Sequence, residues 1–140
     1  MADPRRPRSL TPSSPTLQKM TAPYASVLVV SGDAQIATEL RALVPARTAV
    51  FSHARAADLV RDLRVLRGQR RMIIVDLALR ALLEPARAEP ALLEGALVVL
   101  WRATQEDEAA MRAHFPGVTF VRCGDRAGVR ELAAFVHLGH

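Results

Sequence analysis

Two patterns of apolar positions alternate along most of this chain. Five short runs are almost entirely apolar: SVLVV, TAVFS, MIIVDL, ALVVLW and VTFVR, in that order. Between them lie longer stretches in which apolar residues recur every three or four positions. A short, nearly uninterrupted apolar run is typical of a β-strand buried on both faces of a parallel sheet, and a repeat of 3.6 is typical of an amphipathic helix. The pattern therefore predicts five strands alternating with helices.

Polar residues that can cap a helix follow most of these strands. Asp33 and Ser52 precede the first two helices, Thr104 with Asp107 forms a capping-box pattern before the fourth, and Asp125 precedes the last. Such side chains accept hydrogen bonds from the unpaired N–H groups of the first helical turn. We expect the first helix to present Ile36, Leu40 and Leu43 inward, the second Ala56, Leu59, Val60 and Leu63, and the last Val129, Leu132, Ala133 and Val136.

The stretch between the third and fourth strands is different, because Pro85 and Pro90 stand only five residues apart. Proline interrupts a long helix, so short and irregular helical turns are expected there. Strands that alternate with helices favour an α/β fold, here a doubly wound, five-stranded parallel sheet of flavodoxin-like type in a three-layer sandwich. In such folds the chemistry gathers at the carboxyl ends of the strands.

Composition separates the N-terminus from the rest. Residues 1–25 contain five of the nine prolines and no apolar period, so we predict a disordered tail followed by one domain over residues 26–140. The formal charge is +5, carried almost wholly by arginine. We attribute this to coding bias and expect no nucleic-acid partner, and we expect the RRPR cluster of the tail to be solvated. The single cysteine, Cys123, and the absence of a membrane-length apolar run favour a cytoplasmic protein with no membrane contact.

The order and spacing of four segments resemble a known family. VLVVSGD, MIIVDL with Asp76 near its end, ALVVLW and VTFVR follow one another as in the receiver domains of bacterial response regulators, over residues 26–140. The resemblance implies a role in signal transduction by two-component systems. In that family the first strand ends in an acidic pair that holds Mg²⁺, and the third supplies the aspartate that accepts a phosphoryl group. The fourth ends in Ser or Thr, and the fifth in Lys followed by Pro.

Only one position of that site is retained. Asp76 stands at the phosphoacceptor position. The other positions carry different residues: Ser31 and Gly32 for the acidic pair, Trp101 for the hydroxyl, Arg122 for the lysine, Cys123 for the proline, and Thr119 for an aromatic residue often found on the fifth strand. The resemblance therefore implies a degenerate receiver site.

These departures bear on phosphoryl transfer, which depends on a metal ion and on positioned cations around the phosphoryl oxygens. Mg²⁺ is generally anchored by one or two carboxylates, and Asp76 would be nearly alone. Asp33, one residue beyond the acidic pair, is expected to cap the first helix instead. We therefore expect no Mg²⁺ site and no cofactor. Arg122 keeps a positive charge, and an Asp76–Arg122 ion pair could lock the domain in one state without phosphate.

The sequence thus predicts a stand-alone atypical receiver, a pseudo-receiver, that is not an enzyme. It would act through phosphorylation-independent protein–protein interaction with a regulatory partner or with itself. The resemblance implies the fourth helix, fifth strand and fifth helix as the docking face. One alternative is a phosphorylatable receiver with Asp76 as acceptor, and a second is a flavodoxin-like module that binds a small ligand. Asp76 could also serve only as a cap or turn residue.

Other candidate features point to no further chemistry. The four histidines, His53, His114, His137 and His140, show no spacing typical of a metal site, and Gly32 does not belong to a glycine-rich phosphate loop. Cys123 has no histidine near it in sequence and is expected to be a passive thiol. The second helix, within HARAADLVRDLRVLRGQRR, carries basic residues on one face. We expect a solvated face there, with an acidic partner as the alternative.

Overall fold

The computed structural model describes residues 24–123 and 128–138, without the side chains of Phe135, His137 and Leu138. Within it, all strand pairings are parallel and the strand order is β2-β1-β3-β4-β5. The strands are β1 (Ser26–Val30), β2 (Ala49–His53), β3 (Arg71–Asp76), β4 (Leu97–Trp101) and β5 (Thr119–Arg122). The predicted α/β class and five-stranded parallel sheet are therefore confirmed.

Five α-helices connect and follow the strands. They are α1 (Ala34–Leu43), α2 (Ala56–Val65), α3 (Pro85–Ala88), α4 (Gln105–His114) and α5 (Val129–Leu138). The 3₁₀ helices Leu77–Leu83 and Pro90–Leu93 flank α3, and Pro85 and Pro90 each begin a new short helix. This confirms the irregular turns predicted from the two prolines. In the described chain, the longest and most apolar helices still fall short of what a bilayer crossing requires.

The predicted caps have mixed outcomes. Asp33 caps α1, and Thr104 with Asp107 forms a complete capping box at α4. The prediction for Ser52 is wrong, because β2 continues to His53 and α2 begins only after Arg55, whose side chain makes no capping hydrogen bond. Asp125 lies outside the described residues.

The sheet is covered on both faces, which gives three layers. One apolar cluster lies on the side of α2, the 3₁₀ segments and α4, and the other lies on the side of α1 and α5, which contact each other. The interior strand β1 is buried throughout, as are β4 and all of the central strand β3 except Asp76. Leu43, predicted to face inward, is 38% exposed, because it is the last residue of α1.

The packed structure starts before residue 26. Tyr24 is only 2% exposed, and its carbonyl accepts a hydrogen bond of 2.8 Å from the Thr48 hydroxyl. The Ala25 N–H donates to the carbonyl of Arg70 at 2.9 Å. Tyr24 and Ala25, assigned to the tail from their sequence, are therefore part of the fold.

In each of the two edge strands, β2 and β5, one backbone carbonyl accepts a hydrogen bond from an arginine of a neighbouring helix. Arg41 of α1 donates from Nε and Nη2 to the carbonyl of Val50 in β2, at 3.2 and 2.9 Å. Arg112 of α4 donates to the carbonyl of Phe120 in β5 at 2.8 Å. Unpaired backbone groups on an edge strand invite pairing with another chain, and these contacts occupy one carbonyl at each edge.

Candidate functional site

The predicted site residues gather at the carboxyl edge of the sheet. In register, Val30 of β1 lies beside Val75 of β3, so Ser31 and Asp76 follow neighbouring strand positions. Asp76 is itself paired with Trp101 across β3 and β4. Arg122 is paired with Leu100, one residue earlier on β4. The parallel topology thus brings together residues that are up to 91 positions apart in the chain.

Asp76 serves as an N-cap. Its Oδ1 accepts a hydrogen bond of 3.2 Å from the N–H of Ala78, at the start of the 3₁₀ helix Leu77–Leu83. The side chain is half-buried, and within the described residues no arginine, lysine or histidine forms an ion pair with it. The carboxylate is therefore used for local backbone structure, which was one of the roles considered from the sequence.

The end of β1 is organised in the same way. The hydroxyl of Ser31, which is 3% exposed, accepts a hydrogen bond of 3.1 Å from the N–H of Asp33. Asp33 in turn accepts one of 2.9 Å from the N–H of Gln35. Gly32, between them, is exposed, and a Cβ built on it would meet no heavy atom within 4 Å. There is thus space for a side chain at the position where the family has an acidic residue.

The two carboxylates at this edge both serve backbone structure. Each of the two carboxylates, Asp33 and Asp76, accepts a hydrogen bond from the backbone of the helix that it begins. Within residues 24–123 and 128–138, no three His, Cys, Asp or Glu side chains are grouped closely enough to hold a metal ion. The side chain of His137 and the whole of His140 lie outside the described residues.

Trp101 is part of the core. It is 3% exposed and packs in the cluster on the side of α1 and α5, so its ring fills the interior where the family has a small hydroxyl. Arg102 follows with φ +62°, the one positive value among the described non-glycine residues, and its guanidinium lies 4.2 Å from the centre of the Trp101 ring. A left-handed backbone costs about 1–2 kcal/mol for such a residue. The pattern of apolar runs contained no signal for this stacked pair.

Arg122 does not pair with Asp76, so that prediction is wrong. Its Nε lies 3.5 Å from Glu108 Oε1, and its Nη1 lies 3.5 Å from the carbonyl oxygen of Ala103. Both partners belong to the segment between β4 and the first turns of α4. The guanidinium therefore holds the start of α4 to β5, and no cation among the described residues pairs with the Asp76 carboxylate.

Two further candidate residues lie at the ends of β5, Thr119 at its start and Cys123 directly after it. Cys123 is buried, and burial, with the charge of Glu131 as a smaller cause, raises the pKa of its thiol to about 11. A thiol with such a pKa is almost entirely protonated at neutral pH and is a poor nucleophile. Thr119 is exposed at the opposite, amino end of the strand. Neither residue contributes a reactive group to the carboxyl edge.

The buried contact of His53 near this edge was not predicted from the sequence. The side chain of His53, at the end of β2, is 4% exposed, and its Nε2 lies 3.1 Å from Asp62 Oδ2 of α2, without the alignment of a hydrogen bond. Burial lowers the pKa of His53 below its ordinary value, and the negative charge of Asp62 opposes this. The imidazole is therefore held neutral beside a carboxylate. The only sequence signal was a histidine directly after an apolar run.

A cavity of about 310 Å³ lies between the 3₁₀ helix Leu77–Leu83 and α4. Its lining includes Arg80 and Asp107, and also the pair His114–Glu84, whose Nε2 and Oε2 atoms lie 3.0 Å apart. The hydrogen bond from His114 is the main cause that lowers the pKa of Glu84. This is the mixed polar and apolar lining that a small ligand would need.

Comparison with known proteins finds no match to any family model, to any curated protein or to any solved structure. The resemblance to receiver domains therefore depends on the fold and on the positions described above.

Proposed function

We propose that this chain is a cytoplasmic, receiver-like regulatory module of bacterial signal transduction that acts by binding a partner protein, without phosphoryl transfer. One observation carries the proposal. At the carboxyl edge, the residues that stand where the family performs its chemistry are committed to structure. Asp76 and Asp33 cap helices, Arg122 contacts Glu108, and Trp101 fills the core.

The physical argument concerns charge. A phosphoryl group on Asp76 would bring added negative charge at neutral pH to a carboxylate that has no cation paired with it among the described residues. In phosphoryl transfer, metal ions and cationic side chains neutralise that charge. Here Arg122, which stands at the position of the family's lysine, is engaged by Glu108. The edge is therefore better suited to holding a fixed conformation than to switching on phosphorylation.

The first rival is a phosphorylatable receiver. Asp76 is half-buried and not fully enclosed, so a phosphoryl donor has a route to it. The second rival is a module that binds a small ligand, for which the cavity beside Arg80 and His114 is the specific observation. Both rivals use the same fold, so they must be separated by experiment.

The test is exposure of the full chain to acetyl phosphate and Mg²⁺, followed by intact-mass measurement. Transfer would move a phosphoryl group from acetyl phosphate to the Asp76 carboxylate and release acetate. We expect no added mass in the wild type and no change in Trp101 emission with Mg²⁺. Asp76→Asn is the matched negative control. A phosphoryl adduct that appears in the wild type and is absent in Asp76→Asn would overturn the proposal.

A gain-of-function variant sharpens this test. Gly32→Asp places a carboxylate at one of the two acidic-pair positions, where there is space for a side chain. We expect the variant to fold, because the φ of Gly32 is not positive and its site is open. Tighter Mg²⁺ binding by Gly32→Asp than by the wild type would show that the missing carboxylate, and not the fold, limits the native site. Equal binding by both would contradict that explanation.

A further inference from the structure

A groove runs along the outer side of α2, and we call it the α2 groove. Its volume is about 540 Å³. Five of its lining residues are apolar and two are arginines: Ala56, Ala57, Val60, Val65 and Pro85, with Arg61 and Arg64. Its lining contains none of the carboxyl-edge residues described above and no residue of α4, β5 or α5.

The apolar part of the groove is open to solvent. Val65 is 71% exposed, the largest exposure of any large hydrophobic residue in the described chain, and Val60 is half-buried beside it. Single exposed aliphatic residues are common on protein surfaces. Val65 differs because it extends an apolar lining that already includes Val60 and Pro85. The groove therefore offers a continuous apolar strip to a partner side chain.

The charge around the groove is positive. Residues 54–69 contain four arginines and two aspartates, a formal charge of +2, whereas the rest of the described chain carries no net charge. Arg55 and Arg67 form no ion pair with any described residue, and Arg61, 66% exposed, lies 3.6 Å from Asp58 and 3.5 Å from Asp62. A surface with a net positive charge attracts acidic partners and raises their rate of association.

The groove is held in shape by buried contacts. Arg71, fully buried at the start of β3, donates to the carbonyls of Leu63 in α2 and Glu94, both at 2.9 Å. On the surface, Arg64 Nη2 lies 2.7 Å from Glu89 Oε1, which ties α2 to the segment after α3. A preformed surface lowers the entropic cost of binding.

We propose that the α2 groove binds an acidic segment of a partner protein. An aliphatic side chain of that segment lies against Val60 and Val65, and its carboxylates face Arg55, Arg61 and Arg67. This inference rests on the proposed docking function and names the surface and the chemistry of the partner. It assigns an acidic partner to the basic face of α2, which the sequence analysis expected to be solvated.

Other occupants fit less well. Nucleic acid would place charged phosphates over an apolar lining. The N-terminal segment of this chain, residues 1–23, carries four basic residues and one acidic residue, so its charge of +3 would be repelled by the groove. A protein segment that is both acidic and aliphatic matches the lining and the charge.

The test is selection of random 16-residue peptides displayed on phage against the immobilised full chain, with counter-selection on Val65→Asp. Affinities of the enriched peptides are then measured by fluorescence anisotropy. We expect the enriched sequences to combine Asp or Glu with Leu, Ile or Phe. Val65→Asp and Arg61→Glu should each weaken binding by about tenfold or more, since each removes a favourable contact and adds a like charge. Leu43→Asp on α1 and Arg130→Glu on α5 are the matched controls and should leave binding unchanged.

Three outcomes would overturn the proposal. The first is enrichment of basic or neutral peptides, or binding that Val65→Asp does not weaken. The second is tighter binding of a DNA duplex that is lost in Arg61→Glu and kept in Val65→Asp. The third is a concentration-dependent dimer, seen by sedimentation, that Val65→Asp dissociates. None of these readouts uses phosphate, so a failure here is separate from a phosphoryl adduct at Asp76.

Discussion

Replacing Asp76 separates a capping role from a chemical one. In the structure the carboxylate accepts a single hydrogen bond, from the N–H of Ala78, in a half-buried position. Removing an N-cap acceptor costs about 1 kcal/mol, so Asp76→Ala should lower the free energy of unfolding by about that amount. For a domain of this size the corresponding fall in Tm is about 4 °C. Asp76→Asn keeps an acceptor oxygen and should cost a few tenths of a kcal/mol at most.

Urea unfolding measures these differences, with Trp101 emission as the probe and circular dichroism in parallel. Trp101 is the one tryptophan and is buried, so its emission reports on the loss of the core. The slope of the free energy against urea should be the same in all variants, because the surface exposed on unfolding does not change. If Asp76→Asn were as unstable as Asp76→Ala, the negative charge rather than the cap would matter, and the capping role would be refuted.

A double-mutant cycle with Arg122 gives an independent check. Arg122 contacts Glu108 and the carbonyl of Ala103, not Asp76. The effects of Asp76→Ala and Arg122→Ala should therefore add to within about 0.5 kcal/mol. A coupling energy above about 1 kcal/mol would mean that the two side chains interact, as the sequence had suggested, and would restore the Asp76–Arg122 ion pair that locks the domain without phosphate.

Three further predictions concern other parts of the fold. Burial lowers the pKa of His53 below its unfolded value of about 6.5, so unfolding takes up a proton and the free energy of unfolding should fall as the pH drops through that value. His53→Gln should remove this part of the pH dependence measured by urea titration, and Asp62→Asn, which deletes the opposing charge, should steepen it. Cys123, with a thiol pKa of about 11, should react with a disulfide reagent at neutral pH only after unfolding, and fast native labelling would contradict its burial. Arg41→Ala and Arg112→Ala uncover edge carbonyls and should raise the aggregation rate measured by light scattering, whereas an unchanged rate would remove their protective role.

The elements could be predicted from the sequence because their signals are local. A strand buried on both faces must be apolar at nearly every position, as in β4. The prolines at 85 and 90 exclude a long helix whatever the tertiary contacts of that segment are. The error at Ser52 is also local in origin. A capping residue was assumed to end its strand, but pairing with β1 extends β2 by one residue, to His53.

The contacts of the site could not be predicted, because they join elements that are distant in sequence. The sequence suggested Asp76 as the partner of Arg122, and it contains no information that the start of α4 instead brings Glu108 within 3.5 Å. The same holds for His53, whose neutral state depends on how α2 covers the end of β2. The left-handed backbone of Arg102 has no counterpart in any apolar pattern.

The position of Asp76 therefore has a physical explanation that needs no phosphate. A parallel sheet must start a helix soon after each strand, and an aspartate is among the best residues for the first turn of that helix. Asp33 after β1 and Asp76 after β3 both meet this requirement, although the family would use only the second as acceptor. An aspartate at the end of the third strand is thus weak support for phosphoryl chemistry by itself. The residues around it decide the matter, and here they are occupied with packing and capping. Val65 and the two arginines that flank α2, Arg55 and Arg67, which form no ion pair with any described residue, lie instead on the outer surface, where a binding partner can reach them.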